Sequence, residues 1–121
     1  MTKEELKNRT KTFAIRTFNF LMGIEKNKAV DVISYQLFKS SSSVAANYRA
    51  VCRGKSDSDF LNKLKIVDEE ADESLFWLEF IKELEIDCDK KELDKLIKEA
   101  DELVSIFSAG IKTIKSRNNK N

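Results

Sequence analysis

The sequence predicts an all-α protein that folds as an antiparallel, up-down-up-down four-helix bundle. Its 121 residues include no proline and only three glycines, so little interrupts long helices. Apolar residues recur at intervals of three and four in four separate segments, which is the spacing that lines one face of a helix. The predicted connections are short, and short links force consecutive helices to lie antiparallel.

The first helix is predicted over residues 3–25. It begins after Thr2, because Thr2 and Glu5 form a capping-box pattern that satisfies backbone amides at a helix start. Its apolar stripe is typical of a helix with one buried face. The stripe consists of Leu6, Thr10, Phe13, Thr17, Phe20 and Ile24.

The second helix is predicted over residues 28–53, beginning after Asn27 as N-cap. Gly54 is expected to end it by adopting a left-handed conformation. A run of serines, residues 40–43, lies at the middle of this helix. Small side chains allow a neighbouring helix to come close, so the run predicts a tight helix crossing.

The third helix is predicted over residues 57–86 and the fourth over residues 90–115. Ser56 is the expected N-cap of the third, followed by an acidic first turn. Asp89 caps the fourth, with Glu92 three residues later. The fourth helix has the strict heptad spacing of a bundle seam, formed by Leu93, Leu96, Ala100, Leu103, Phe107, Gly110 and Ile114.

Composition argues against a membrane protein and against most enzyme classes. Charged residues make up 36% of the chain, no apolar run approaches the ~18 residues of a membrane span, and the N-terminus lacks a signal sequence, so a cytoplasmic protein is expected. The chain contains no histidine, and Cys52 and Cys88 form no C-x-x-C pair. We therefore predict reduced thiols, no metal, no cofactor and no catalytic residues.

One P-loop-like fragment, Gly54-Lys55-Ser56, does not change this view. The pattern requires a glycine at position 49, where this chain has Arg49, and it requires a preceding strand where a helix is predicted. The fragment is therefore interpreted as a helix connection.

Two of the predicted helices carry more apolar surface than one core can bury. On the first helix, Ile15, Phe18 and Met22 lie ~140° away from the core stripe. On the third, apolar residues surround nearly the full circumference, so some of Phe76, Trp77 and Phe80 should face outward. We predict that these six residues form an oligomer interface; the alternative is a thicker core that absorbs them.

Charge is unevenly distributed although the net charge is only +1. Residues 1–56 contain 11 Lys/Arg and 4 Asp/Glu, whereas residues 57–121 contain 11 and 17. The predicted topology brings cations from all four helices to one end of the bundle. Such an end favours binding of a nucleic-acid backbone, although ordinary solvated charge is an equal alternative. The candidate nucleic-acid-binding residues are Lys3, Lys7, Lys11, Arg53, Lys55, Lys112, Lys115 and Arg117, called the cationic end below; Arg49, Lys63, Lys65 and Lys120 are expected nearby.

A polar cluster is predicted between the second and third helices. Antiparallel pairing could bring Asn47 and Arg49 toward Glu70 and Glu73. We interpret these four residues as a structural network that fixes helix register, because an unpaired buried charge is costly. A catalytic acid–base pair in the Arg49 and Glu70 neighbourhood is the less favoured alternative.

Two central blocks of the sequence resemble a known family. The segment 36–50 (QLFKSSSSVAANYRA), followed by RGKS at 53–56, and the segment 66–79 (IVDEEADESLFWLE) are similar to the "four helix bundle protein" family. That family includes proteins encoded in 23S ribosomal RNA intervening sequences and is related to accessory variability proteins of diversity-generating retroelements. The resemblance implies a homopentameric ring, and its retroelement relatives imply that RNA or DNA and a reverse transcriptase are partners.

These observations favour a non-enzymatic homo-oligomer, a pentamer by the resemblance, that acts as a nucleic-acid-associated scaffold or accessory protein. The chain is almost neutral, whereas the retroelement relatives are markedly basic. The alternative is a protein–protein interaction module that binds no nucleic acid, in which the outward aromatic residues dock a partner polypeptide.

Overall fold

The computed structural model describes residues 1–119, which form four α-helices and no strand. The helices are α1 (Lys3–Met22), α2 (Lys28–Val51), α3 (Asp57–Glu83) and α4 (Lys90–Asn119). Each helix packs on the next along the chain, and α4 closes the bundle against α1. The predicted all-α four-helix bundle is confirmed.

Each helix begins at the predicted residue because a side-chain oxygen caps its first turn. The capping residues are Thr2, Asn27, Ser56 and Asp89, which accept from the backbone N–H groups of Glu5, Val30, Asp59 and Glu92 at 3.0, 2.9, 3.2 and 3.1 Å. Each such cap contributes about 1 kcal/mol to helix stability.

The helix ends differ from the prediction. The first three helices end two or three residues earlier than expected, and α4 continues to Asn119 rather than ending at residue 115. Gly54 does not adopt the predicted left-handed conformation: within residues 1–119 only Glu85 has a positive φ, of 57°. At the end of α1, the ammonium of Lys26 caps the helix by donating to the backbone carbonyls of Leu21 and Ile24.

The core takes side chains from all four helices. Phe13, Leu37, Leu78 and Phe107 are among the largest fully buried ones. Every buried side-chain polar atom among the described residues has a hydrogen-bond partner, so the polar core positions carry no unmet desolvation cost.

Small residues allow the close helix contacts that the serine run predicted. Ser40 and Ser74 are fully buried where α2 meets α3, and the Ser74 hydroxyl donates to Ser40 Oγ at 3.0 Å. Gly110 plays the same part between α3 and α4, since a Cβ at that position would lie 3.2 Å from Leu64 Cδ2. Tight packing thus brings α2, α3 and α4 together.

The seam between α1 and α4 is held by arginine–glutamate pairs that the sequence reading did not identify. Arg9 donates through Nε and Nη2 to both carboxylate oxygens of Glu99, each at 2.7 Å, and through Nη2 to Glu102 at 2.8 Å. Arg16 binds both oxygens of Glu92 at 3.0 and 2.8 Å. Hydrogen bonding to Glu99 and Glu92 raises the pKa of each arginine, because the charged form is stabilised.

No helix in residues 1–119 combines the length and the apolar character needed to cross a membrane.

Candidate nucleic-acid interface and outer faces

The structure brings the starts of α1 and α3 and the ends of α2 and α4 to one end of the bundle. Lys3, Lys55 and Arg117 line a single open cleft there, together with Phe60. The Lys3 ammonium lies 4.8 Å from the centroid of the Phe60 ring, a cation–π contact. Cations from three separate segments therefore share one surface.

The remaining cationic-end residues do not line this cleft. Lys112 and Lys115 are exposed on the last turns of α4, and Arg53 is exposed where α2 ends. Lys7 and Lys11 lie on α1, where they line a different surface together with Arg49. The expected neighbour Lys65 is exposed and Lys63 is half-buried, whereas Lys120 lies outside the described residues.

Most cations of this end have no acidic partner within the chain. Arg117 forms the single ion pair of the cationic end within residues 1–119, an exposed contact of 3.5 Å with Asp57. Exposed pairs of this kind contribute little to stability. The cationic-end residues that form no ion pair within the described part of the chain are Lys3, Lys7, Lys11, Arg53, Lys55, Lys112 and Lys115.

The outer sides of α1 and α2 form a groove with an apolar floor. The groove, called the α1–α2 groove below, is lined at the end nearer the chain termini by Lys7, Lys11 and Arg49, and further along by Ile15, Ser42 and Ala45. Phe18 and Phe38 continue it with their rings 5.6 Å apart, 44% and 43% exposed. Met22 and Tyr35 extend the apolar surface at the far end, and both are exposed.

The outer side of α3 carries a second, separate face. Ile66, Glu69, Glu73, Phe76, Phe80 and Glu83 repeat at intervals of three and four, so they form one line along the helix, called the α3 ridge below. Phe76 is 53% exposed, and its ring stacks on Phe80 and meets Trp77 edge-on at centroid distances of 5.7 and 4.9 Å. Trp77 and Phe80 are half-buried, so the cluster stands partly out of the bundle.

Two of the six proposed interface residues therefore protrude less than predicted. Ile15, Phe18, Met22 and Phe76 are exposed, whereas Trp77 and Phe80 are partly covered. Trp77 and Phe80 cover each other in part, because their rings meet edge-on at a centroid distance of 5.7 Å. The Trp77 indole N–H donates to Glu73 of the same helix at 3.4 Å.

Sequence analysis missed the contribution of α2 to the outer surface. Tyr35 and Phe38 are exposed beside α1, and they share a spacing of three and four with Ser42, Ala45 and Arg49. The same periodicity argument that identified Ile15 and Phe18 would have identified this line. This line was overlooked because its middle positions, Ser42 and Ala45, have small side chains, whereas an apolar stripe is usually recognised by large ones.

The predicted network of Asn47, Arg49, Glu70 and Glu73 is not present. The Asn47 amide donates to the Ser43 carbonyl of its own helix at 2.9 Å. Arg49 lines the α1–α2 groove, on the opposite flank of α2 from α3, and so points away from Glu70. Burial raises the pKa of Glu70, and nearby Glu73 adds to the rise while Lys39 opposes it. The arrangement also removes the geometric basis for the alternative acid–base pair.

Residues 1–119 contain neither a cluster of metal ligands nor a pair of bonded cysteines. No group of three or more Cys, Asp or Glu side chains there is arranged to hold a metal ion. Cys52 and Cys88 are free and half-buried. Burial raises the pKa of the Cys88 thiol, with a smaller contribution from Asp87, so its reactive thiolate is disfavoured.

Comparisons with known proteins agree with this architecture. A crystal structure described as a protein of unknown function from the S23 ribosomal protein family of Bacteroides thetaiotaomicron is similar, with 28% identity and a TM-score of 0.81. The alignment covers 93% of this chain and 99% of that one. A comparison with curated proteins gives no match. The family model described as "23S rRNA-intervening sequence protein" matches residues 3–109, and the chain therefore belongs to that family.

Proposed function

We propose that this protein is a non-enzymatic homo-oligomer, a pentameric ring, that holds nucleic acid at its cationic end as a scaffold or accessory protein. The proposal rests on one difference: some cations of this chain form ion pairs with glutamates, whereas most cations of the cationic end do not. Arg9 and Arg16, along the α1–α4 seam, are each paired with glutamates. The seven unpaired cationic-end residues have no such partner in residues 1–119, so they are free to contact phosphate.

The shape of this end also suits a backbone ligand. Lys3, Lys55 and Arg117 come from different segments and border one open cleft, so a phosphate chain crossing it meets several cations. Glu4, Glu5, Asp57 and Asp59 lie at the same end and reduce the field. A single copy therefore has a weak patch, and several copies in one assembly would supply the avidity that one copy lacks.

The family name supports a nucleic-acid context, because it refers to an intervening sequence of 23S rRNA. Non-enzymatic action is the accompanying proposal, supported by the residues themselves. Histidine, the commonest general base near neutral pH, is absent from the sequence. Burial raises the pKa of two described carboxylates, Asp68 and Glu70, and Asp68 accepts a single hydrogen bond from the Ser108 hydroxyl at 3.3 Å between α3 and α4.

The test is salt-dependent binding of a labelled hairpin RNA and a labelled DNA duplex, measured by fluorescence anisotropy. We expect retention at ~50 mM salt and a steep loss of affinity by ~200 mM, with a log–log slope of about −0.9 for each duplex phosphate neutralised. The variant replaces four cations with glutamate, at positions outside both outer faces: Arg53, Lys55, Lys112 and Lys115. It should lose most of the binding and flatten the slope while leaving subunit number unchanged.

A matched control makes the same charge change at the other end of the bundle. Lys90, Lys91, Lys95 and Lys98 are exposed on the first turns of α4, far from the cationic end. Their replacement by glutamate should reduce affinity much less, because only long-range charge is altered. Equal loss in both variants would mean that binding follows net charge rather than this site.

A protein-interaction module without nucleic-acid binding is the second candidate, favoured by the protruding Phe76, Trp77 and Phe80 cluster. Exposed aromatic clusters mark protein interfaces. Failure of the wild-type protein to retain either probe at ~50 mM salt would rule out the first function and leave this candidate to be tested. A reverse transcriptase, the partner implied by the retroelement resemblance, would then be tested by pull-down with and without Phe76→Ala.

A further inference from the structure

Two contacts fix the relative height of the outer faces along the bundle. The rings of Phe18 and Phe38 meet between α1 and α2, and Ser74 of α3 donates to Ser40 of α2. Phe38 and Phe76 each lie two residues from that serine pair, in opposite chain directions. Because α2 and α3 are antiparallel, Phe38 and Phe76 are level, and so Phe18 is level with Phe76 as well.

From this common height, α1 and α3 run in the same direction, so equal steps along both helices keep residues level. The groove and the ridge then match in register. Toward one end Lys11 is level with a carboxylate, toward the other two apolar residues of the groove are level with aromatic residues, and between them Ile15 is level with a carboxylate. The level pairs are Lys11 with Glu69, Ile15 with Glu73, Phe18 with Phe76 and Met22 with Phe80.

We infer that the α3 ridge of one copy packs into the α1–α2 groove of a second copy, with the two bundles side by side and parallel. The inference rests on the self-association in the proposed function and specifies its surfaces. A closed ring with its axis along the bundles relates copies by rotation without a rise, so residues that meet must be level. The ridge and the groove meet that condition.

Charge disfavours symmetric pairing of two parallel bundles. With the bundles parallel, pairing two ridges would oppose Glu69 and Glu73 with their own copies, and pairing two grooves would oppose Lys11 and Arg49 with theirs. Like charges across an interface are strongly unfavourable. Ridge-to-groove pairing instead places Glu69 level with Lys11, which forms no ion pair in residues 1–119.

The pairing has a consequence for the cationic end. Rotation about an axis parallel to the bundles keeps every copy pointing the same way, so all cationic ends lie on one face of the assembly. A weak patch is thereby repeated around a ring, which is the arrangement that raises avidity for one nucleic-acid molecule.

The test is site-directed cross-linking with a short bismaleimide, in protein that carries Cys52→Ser and Cys88→Ser. One batch carries Phe18→Cys and another Phe76→Cys. We expect cross-linked dimers only when the two batches are mixed and allowed to exchange subunits. A mixture of Lys98→Cys with Phe76→Cys is the matched control, since Lys98 is exposed on α4 and belongs to neither face.

A second pair of cysteine variants is needed because replacing Phe18 and Phe76 could itself weaken the interface. Lys11→Cys mixed with Glu69→Cys removes no apolar side chain and should give the same mixed dimers. Dimers from either batch alone would show a symmetric interface and overturn the inference. If neither mixed pair cross-links while light scattering of the parent protein shows an oligomer, this pairing is wrong although assembly stands. A parent protein that is a single subunit would overturn the proposed assembly itself.

Discussion

The two flanks of α1 differ in how their charges and apolar groups are satisfied. On the flank toward α4, Arg9 and Arg16 are clamped by glutamates of the same chain. On the other flank, Lys11 forms no ion pair within the described residues, and Phe18 remains nearly half exposed. Groups that are satisfied within the chain stabilise the fold. Unsatisfied groups of the same kinds, gathered on one surface, indicate a contact with another molecule.

The largest change in the free energy of unfolding is expected from the buried face of α1. Phe13 is 1% exposed, so Phe13→Ala should lower the free energy of unfolding by about 3–5 kcal/mol. Phe18→Ala should lower it by less than about 1 kcal/mol in dilute protein, because an exposed ring loses little on truncation. Urea unfolding at low protein concentration measures both. Similar losses would place Phe18 in the core and remove the distinction between the flanks.

An intermediate effect is expected from the charges of α1. Arg9→Ala should cost about 1–2 kcal/mol, because it removes charge-assisted hydrogen bonds and leaves Glu99 half-buried without its partner. Lys11→Ala, two residues away, should change stability by less than about 0.5 kcal/mol in dilute protein. Thermal unfolding of the two variants provides the comparison. A larger loss for Lys11→Ala would mean that its ammonium has an intramolecular role.

The smallest change in stability is expected between α3 and α4, where the Asp68 carboxylate forms no ion pair within the described residues. Burial raises the pKa of Asp68, and Asp72 and Glu69 add to the rise although the Ser108 hydroxyl, 3.3 Å away, opposes it. An acid with a raised pKa binds more protons folded than unfolded, so its contribution to stability falls as pH rises above the unfolded value. Asp68→Asn should therefore stabilise the protein at pH 7 by less than about 1 kcal/mol.

The pH profile separates this effect from a general change in packing. The gain from Asp68→Asn should shrink as pH falls into the range where Asp68 is protonated in the folded state, since the wild-type side chain is then neutral too. Unfolding measured between pH 3 and pH 7 records this. A gain that stays constant across the range would mean that charge at this position is not its cause.

Much of the fold is predictable because its determinants are local. The four helix starts depend on caps such as Thr2 and Ser56, whose partners lie three residues away. Helix ends were less predictable. Glu85 takes the left-handed conformation expected of a glycine, and Lys26 closes a helix with a side chain that follows it in sequence.

The candidate site was predictable only in part, because it depends on which flank of a helix faces which neighbour. The exposure of Ile15 and Phe18 followed from periodicity within one helix. Arg49 was assigned to a contact with α3, yet it faces α1; the spacing of α2 puts Arg49 in line with Phe38 but does not show which neighbouring helix that line faces. The pairing of Arg9 with Glu99 was missed for the same reason, as it joins residues 90 positions apart.

On the proposed assembly, further copies of this chain cover the groups left unsatisfied on the outer faces. Light scattering coupled to size-exclusion chromatography, at a series of protein concentrations, measures this directly. We expect a mass that is an integral multiple of the 13.9 kDa chain, five-fold for the ring implied by the family resemblance, and a smaller mass for Phe18→Glu. A mass of 13.9 kDa at every concentration, unchanged by that substitution, would contradict it.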